Sequence, residues 1–312
     1  MSGSPPPDAV HEMIALPSGV ELHVVRHTPD QIAHPPWLLV HGLASNARLW
    51  DGVAIELARL GHPVAAVDQR GHGQSSKPDN AYDMATVADD LDELIGALGW
   101  EQPGVAGQSW GGNVVLEMAY RHPGRASVVA AVDGGFIDLQ GRFPDWNDAA
   151  STLAPPPLVG TPVERIEAWL ADSMGDWPDT GRAGTMANFE IRDDGTIAPW
   201  LTAERHLQVL RGLWEHSPST RFADIDVPVL LIAANAGDVS WSDSKHESVE
   251  AAIELLPTGR AEWFDAHHDV HAQHPKPVAN LLHRAMTDAH FFADDQYSGG
   301  HPTVDSPTEA TR

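Results

Sequence analysis

Short apolar runs punctuate the chain at 21–27 (ELHVVRH), 37–40 (WLLV), 64–67 (VAAV), 104–106 (GVA), 128–132 (VVAAV), 229–233 (VLLIA) and about 261–264 (AEWF). Most are apolar at consecutive positions and closed by Gly or Asp. That is the pattern of interior strands of a parallel sheet, covered on both faces. The stretches between them change period. Met84, Val87, Leu91, Leu94, Ile95 and Leu98 recur at three- and four-residue spacing, with Asp89, Asp90, Asp92 and Glu93 on other faces, which predicts an amphipathic helix. Weaker versions of the pattern predict helices over 47–60, 113–121, 247–256 and 277–286. Strand–helix alternation of this kind predicts an α/β fold, a doubly wound and mostly parallel sheet with right-handed crossovers.

The rhythm breaks between about 134 and 222. That region carries Trp146, Trp169, Trp177, Trp200 and Trp214, the run APPPLVG, and helical patterns at 163–173 and 201–216, but no convincing strand. A helical cap inserted over one end of the sheet is expected, the alternative being a separate small domain. The two ends are polar and rich in Gly, Pro and Ser, and cannot bury enough apolar area to offset their ordering entropy. The expected division is a disordered N-terminus over 1–11, a first core part over 12–133, the cap over 134–222, a second core part over 223–292 and a disordered tail over 293–312.

Composition narrows the function. With 19 Lys and Arg against 44 Asp and Glu, the 312-residue chain carries a net charge of −25. A nucleic-acid ligand is disfavoured, because a phosphate backbone must be met by basic groups, and an anionic membrane surface is disfavoured for the same reason. There is no Cys, hence no disulfide, thiol nucleophile or Cys-ligated zinc. No stretch approaches the roughly 20 apolar residues that span a bilayer. The first ten residues lack the basic and apolar regions of a signal peptide. A soluble, cytoplasmic protein is expected.

Four motifs carry chemistry. Gly107-Gln108-Ser109-Trp110-Gly111-Gly112 matches G-x-S-x-G between an apolar run and a helical one. A sharp strand-to-helix turn there forces a strained backbone on Ser109, keeps neighbouring Cβ atoms out of the corner, and presents the hydroxyl at the head of a helix. Ser109 is the candidate nucleophile. His41-Gly42-Leu43-Ala44 closes the run at 37–40, and the backbone N–H groups of Leu43 and Trp110 are candidate oxyanion-hole donors. Asp68-Gln69-Arg70-Gly71-His72-Gly73-Gln74-Ser75 lacks the G-K-[ST] of a nucleotide loop and reads as a structured turn, with Asp68 and Arg70 paired. Last, the 266–275 stretch AHHDVHAQHP places four histidines after the final strand, where a base for the serine is needed. No Glu-flanked helical H-x-x-x-H pattern of a metal site appears among them.

Strand–HG, DxRGHGxS, GxSxGG and a late His before a Pro-initiated helix, in that order, resemble the α/β-hydrolase superfamily over roughly 12–290. The resemblance implies a catalytic His seven residues before a Pro, and counting back from Pro275 gives His268, with His267 second. His271 and His274 are then expected as solvated residues at the start of the following helix. It implies an acid after the strand that follows the cap, where Asp238 lies displaced by about one residue. Some members carry the acid one strand earlier, where Asp133 stands, so one of the two is the triad acid, with Asp238 preferred. Superfamily members that open epoxides or cleave haloalkanes use Asp at the elbow, because their alkyl-enzyme ester needs a carboxylate. Ser109 argues against both.

The expected protein is therefore a serine hydrolase of the carboxylesterase or lactonase type. Its substrate would be an apolar or aromatic ester or lactone, cleaved through an acyl-enzyme with no cofactor and no metal. The strongly negative surface favours neutral substrates over polyanions such as acyl-CoA. Alternatives on the same triad are amide or C–C bond hydrolysis, and outside catalysis a small-molecule-binding protein of this fold. Exposed apolar patches on the cap would support a homodimer.

Overall fold

The computed structural model describes residues 9–235 and 239–293, the side chains of 239–243 apart. It begins with an antiparallel hairpin of β1 (Ala9–Ala15) and β2 (Glu21–His27). The alternation then runs through β3 (Trp37–Val40), α1 (Asp51–Arg59), β4 (Val64–Val67), α2 (Met84–Ala97), β5 (Gly104–Gln108), α3 (Trp110–Arg121) and β6 (Val128–Val132). An insertion follows: α4 (Leu139–Arg142), α5 (Trp146–Thr152), β7 (Thr161–Pro162), α6 (Val163–Ser173), α7 (Asp179–Met186), β8 (Phe189–Ile191), β9 (Thr196–Pro199) and α8 (Ala203–Trp214). The sheet resumes with β10 (Val229–Ala234), α9 (Val239–Leu255), β11 (Gly259–Phe264), α10 (Val270–Gln273) and α11 (Pro275–Thr287).

Eight strands form one sheet in the order β1-β2-β4-β3-β5-β6-β10-β11. The six from β4 to β11 are parallel, and β1 and β2 run antiparallel at one edge. The consecutive apolar positions of the interior strands are explained by two cores, one on each face. Leu38, Val40, Val229 and Leu231 point into a core with α2 and α3, while Trp37, Leu39, Leu230 and Ile232 point into another with α1 and α11. Each fully buried Leu or Val of this kind contributes about 1.5–3 kcal/mol of transfer free energy.

Three expectations change. β1 begins at Ala9, inside the stretch expected to be disordered; its side chains are half-buried or exposed throughout, as on an edge strand, so no apolar run marks it. The insertion contains strands after all, since β7, β9 and β8 pair as a small antiparallel sheet of two- to four-residue pieces. Third, Asp68 and Arg70 do not pair with each other: Arg70 forms a buried bidentate ion pair with Asp90 on α2. Residues 294–312 of the expected tail lie outside the described residues.

Candidate active site

Ser109 sits between β5 and α3 with φ 53° and ψ −123°, the left-handed strain expected of the elbow. Two glycines make the turn possible. A Cβ on Gly107 would stand 2.1 Å from the Gly111 carbonyl oxygen, and one on Gly111 would stand 2.4 Å from the carbonyl oxygen of His41. Trp110 is the first residue of α3, so its N–H has no acceptor one turn back within the helix.

The loop after β3 is braced by the Asp68–Ser75 turn. His41 donates from Nδ1 to the Gly42 carbonyl (2.7 Å) and accepts at Nε2 from the Gln69 N–H (3.0 Å). Gln69 Nε2 donates to the His41 carbonyl at 2.7 Å. His72 donates from Nδ1 to the Arg70 carbonyl (3.0 Å), leaving Nε2 to accept from Ala44 N–H (3.3 Å). Ala44 has φ 60°, so the backbone turns sharply just after Leu43. Burial holds both imidazoles below their ordinary pKa and keeps them neutral, as these bonds require. Asp68 accepts from the Ala47 N–H (2.7 Å), the Gln74 N–H (2.9 Å) and His23 Nδ1 (2.8 Å). Burial alone would raise this carboxyl. The hydrogen bond and charge of His23, with the other donors, bring it down to about 2.

The late loop presents His268, whose Nδ1 donates to Asp133 Oδ2 at 2.6 Å. Asp133 follows β6 directly, has φ 44°, and is buried, its side chain 1 % exposed against 54 % for His268. Its Oδ1 also accepts from the Ala234 N–H at the end of β10 (2.9 Å). Asn113 on α3 holds the loop behind it, accepting from the Gly135 N–H (2.9 Å) and donating to the Ile137 carbonyl (2.9 Å). Of the two candidate acids, Asp133 is thus the one on His268; Asp238 lies outside the described residues. His267 turns elsewhere, its ring beside Trp177 with centroids 6.2 Å apart. His271 lies on α10 and His274 just ahead of α11, but His271 is not solvated: it is fully buried against Trp50, and burial drives it down to about 3.

Sequence reasoning missed one member of the cluster. Lys245 on α9 reaches both oxygens of Asp133 (2.8 and 2.9 Å) and the Ala234 carbonyl (2.8 Å). No local signal marks it, because the partners lie 112 and 11 residues away and meet only through the sheet. Burial works to raise the Asp133 carboxyl, yet His268 and Lys245 hold it below its ordinary value. Desolvation lowers His268, but the bond to Asp133 and the charges of Asp269 and Asp133 outweigh it, so the imidazole stands above its ordinary pKa; Lys245 opposes them.

Ser109, Asp133, His268 and Lys245 open on one cavity of about 790 Å³, which Leu43 and Trp110 also line. The insertion and the segment leading into it contribute an apolar part of the lining, Phe136, Ile137, Leu139, Leu153, Leu210 and Leu213, with Asp138, Arg142 and His206 among them. Another part is polar, with Asn235, Ser244 and Ser248 beside Lys245. Among the described residues no group of three or more His, Asp or Glu is placed to hold a metal, and no helix is long and apolar enough to cross a membrane.

A family profile described as "alpha/beta hydrolase fold" matches residues 35–158. The solved structure of E-2-(acetamidomethylene)succinate hydrolase superposes on 92 % of this chain and 100 % of its own at TM-score 0.72 with 21 % identity. That of an enol-lactonase from Burkholderia xenovorans LB400 covers 89 % and 100 % at TM-score 0.64 and 18 % identity. By sequence, 2-(acetamidomethylene)succinate hydrolase of Mesorhizobium japonicum is 28 % identical over 64 % of this chain and 69 % of its own length. Epoxide hydrolase B of Mycobacterium tuberculosis is 32 % identical over 38 % of this chain and 34 % of its own. The chain spans about a third of the length of the first curated relatives it matches. Sheet order and these likenesses show the α/β-hydrolase fold, with the family profile matching its first part.

Proposed function

We propose that the protein is a serine hydrolase that cleaves a carboxylic ester or lactone through an acyl-enzyme. Ser109 is the nucleophile, His268 its base, Asp133 the acid that orients the imidazole, and the amides of Leu43 and Trp110 the oxyanion donors. The observation that carries this reading is the 2.6 Å contact between His268 Nδ1 and Asp133 Oδ2 beside the cavity that Ser109 lines. The bond fixes the tautomer with Nε2 unprotonated and available to the serine proton. As Ser109 attacks the carbonyl carbon, His268 takes that proton, and Asp133 stabilises the imidazolium. The proton then passes to the departing oxygen. Water repeats the sequence on the acyl-enzyme and releases the acid.

The resemblance to an epoxide hydrolase does not extend to the elbow, where a hydroxyl stands in place of the carboxylate that epoxide opening requires. The apolar part of the lining and the size of the cavity favour a bulky, neutral acyl or alcohol portion. A fluorophosphonate probe with a panel of p-nitrophenyl esters, aryl esters, small lactones and macrolactones tests the proposal, with Ser109→Ala as control. Covalent labelling at Ser109 and turnover that vanishes in the variant are expected. Tight ligand binding with neither labelling nor turnover would replace the enzyme with a binding protein.

A further inference from the structure

Lys245 is not required by the acyl-transfer scheme, and its placement is specific. It is one of only three lysines in the sequence. Its ammonium bridges both oxygens of Asp133, while the Ala234 carbonyl fixes it from the other side. The Asp133 side chain is 1 % exposed and Lys245 22 %, so water screens the pair weakly. Asp133 Oδ2 therefore serves two cations when His268 is protonated, the imidazolium at 2.6 Å and the ammonium at 2.9 Å.

Resting on the triad reading above, we propose that Lys245 is a positioning residue: clamped between Asp133 and the Ala234 carbonyl, it pins the carboxylate on His268 and offsets its charge. His268 then works as a free base at lower pH than it would beside an unopposed aspartate. The charged and titratable groups facing His268 among the described residues are Asp133 after β6, Lys245 on α9, Asp269 and His267 on its own loop, and His271 on α10. Asp269 supports the imidazolium and Lys245 opposes it, so the setting of the base is a balance between them. A carboxylate whose charge is nearly cancelled still orients the ring and keeps the tautomer, but contributes less to proton affinity.

The test reads His268 directly by NMR titration of its imidazole, assigned by its absence in His268→Gln. In Lys245→Met and Lys245→Gln the midpoint should rise by about one pH unit, and in Lys245→Arg it should stay near that of the parent protein. The pH dependence of fluorophosphonate labelling should follow, with labelling about five- to tenfold slower at pH 6 in the neutral variants and little changed at pH 9. A purely structural ion pair would leave the His268 midpoint in place. An unmoved midpoint in variants that melt like the parent protein overturns the proposal. Because the titration is read on the ring itself, a protein that shows the shift but is never labelled would sink the serine-hydrolase reading and leave this one standing. Should neither neutral variant fold, the parent protein still decides. A ¹⁵Nζ-lysine spectrum has three side-chain signals, and that of Lys245 should move with the midpoint of His268, whereas a flat signal refutes the coupling.

Discussion

Gly111 on the elbow helix packs directly on the backbone of His41, so that an added β-carbon would stand 2.4 Å from that carbonyl oxygen and 2.8 Å from that of Val40. The helix that follows Ser109 and the loop after β3 are therefore in register only because position 111 has no side chain. Gly111→Ala should destabilise the fold by about 2–3 kcal/mol, since backbone and not a flexible side chain must give way. Hydrolysis should fall further than the loss of folded protein explains. Melting temperature and probe labelling per folded molecule separate the two effects.

Asp133→Asn and Asp238→Asn, compared side by side, assign the acid. Losing the true acid should lower kcat by about 10⁴, because the amide allows the wrong imidazole tautomer. The larger loss is expected in Asp133→Asn. Equal mild losses in both would remove each from the mechanism.

Asp51 titrates in the opposite sense from most carboxylates. Burial, only partly offset by Arg48, pushes it up to about 6 from an ordinary 3.8. The fold prefers the neutral acid, so this group's contribution is complete below about pH 4 and is lost as pH rises towards 6. The loss amounts to about 3 kcal/mol. Asp51→Asn should lack this slope and gain on the parent protein at pH 8, as chemical denaturation across pH would register.

Asp68 supplies the acid limb. Held at about 2 against an ordinary 3.8, it stabilises the fold fully above about pH 4 and progressively less as pH falls towards 2. The change is worth about 2 kcal/mol. In Asp68→Asn the protein should be weaker at neutral pH and less sensitive to acid below 4. An unaltered acid limb in that variant would contradict the assignment.

Leu153, in the apolar part of the lining, should govern size preference. Leu153→Ala is expected to lower kcat/KM for bulky aryl esters roughly tenfold while acetyl esters change little. A uniform loss across the panel would show that the side chain is not a substrate contact.

How much the sequence revealed follows from burial. The interior strands were legible because both faces are covered: Trp37 and Leu39 feed one core while Leu38 and Val40 feed the other, so apolar residues run without interruption. β1 escaped because none of its residues is fully buried and it carries His11 and Glu12, and the pieces of the small sheet are too short for any period to emerge. The elbow was legible because its chemistry is local, a strained serine between obligatory glycines. Asp133 and Asp238 both follow sheet strands in sequence, and only the packing of β6 beside β10 brings the first to His268. Lys245 was invisible for the same reason, since a helix surface lysine in sequence looks like any solvated cation.

The engagement of that lysine has a practical side. Lys77 is also occupied, donating to the carbonyls of Gly73 and Ser75 (2.7 and 3.0 Å). Lys276, exposed on α11, lines no part of the cavity. Side-chain amine coupling to a bead or electrode would therefore take hold chiefly at Lys276, tethering the molecules through one residue and leaving the cavity lysine untouched.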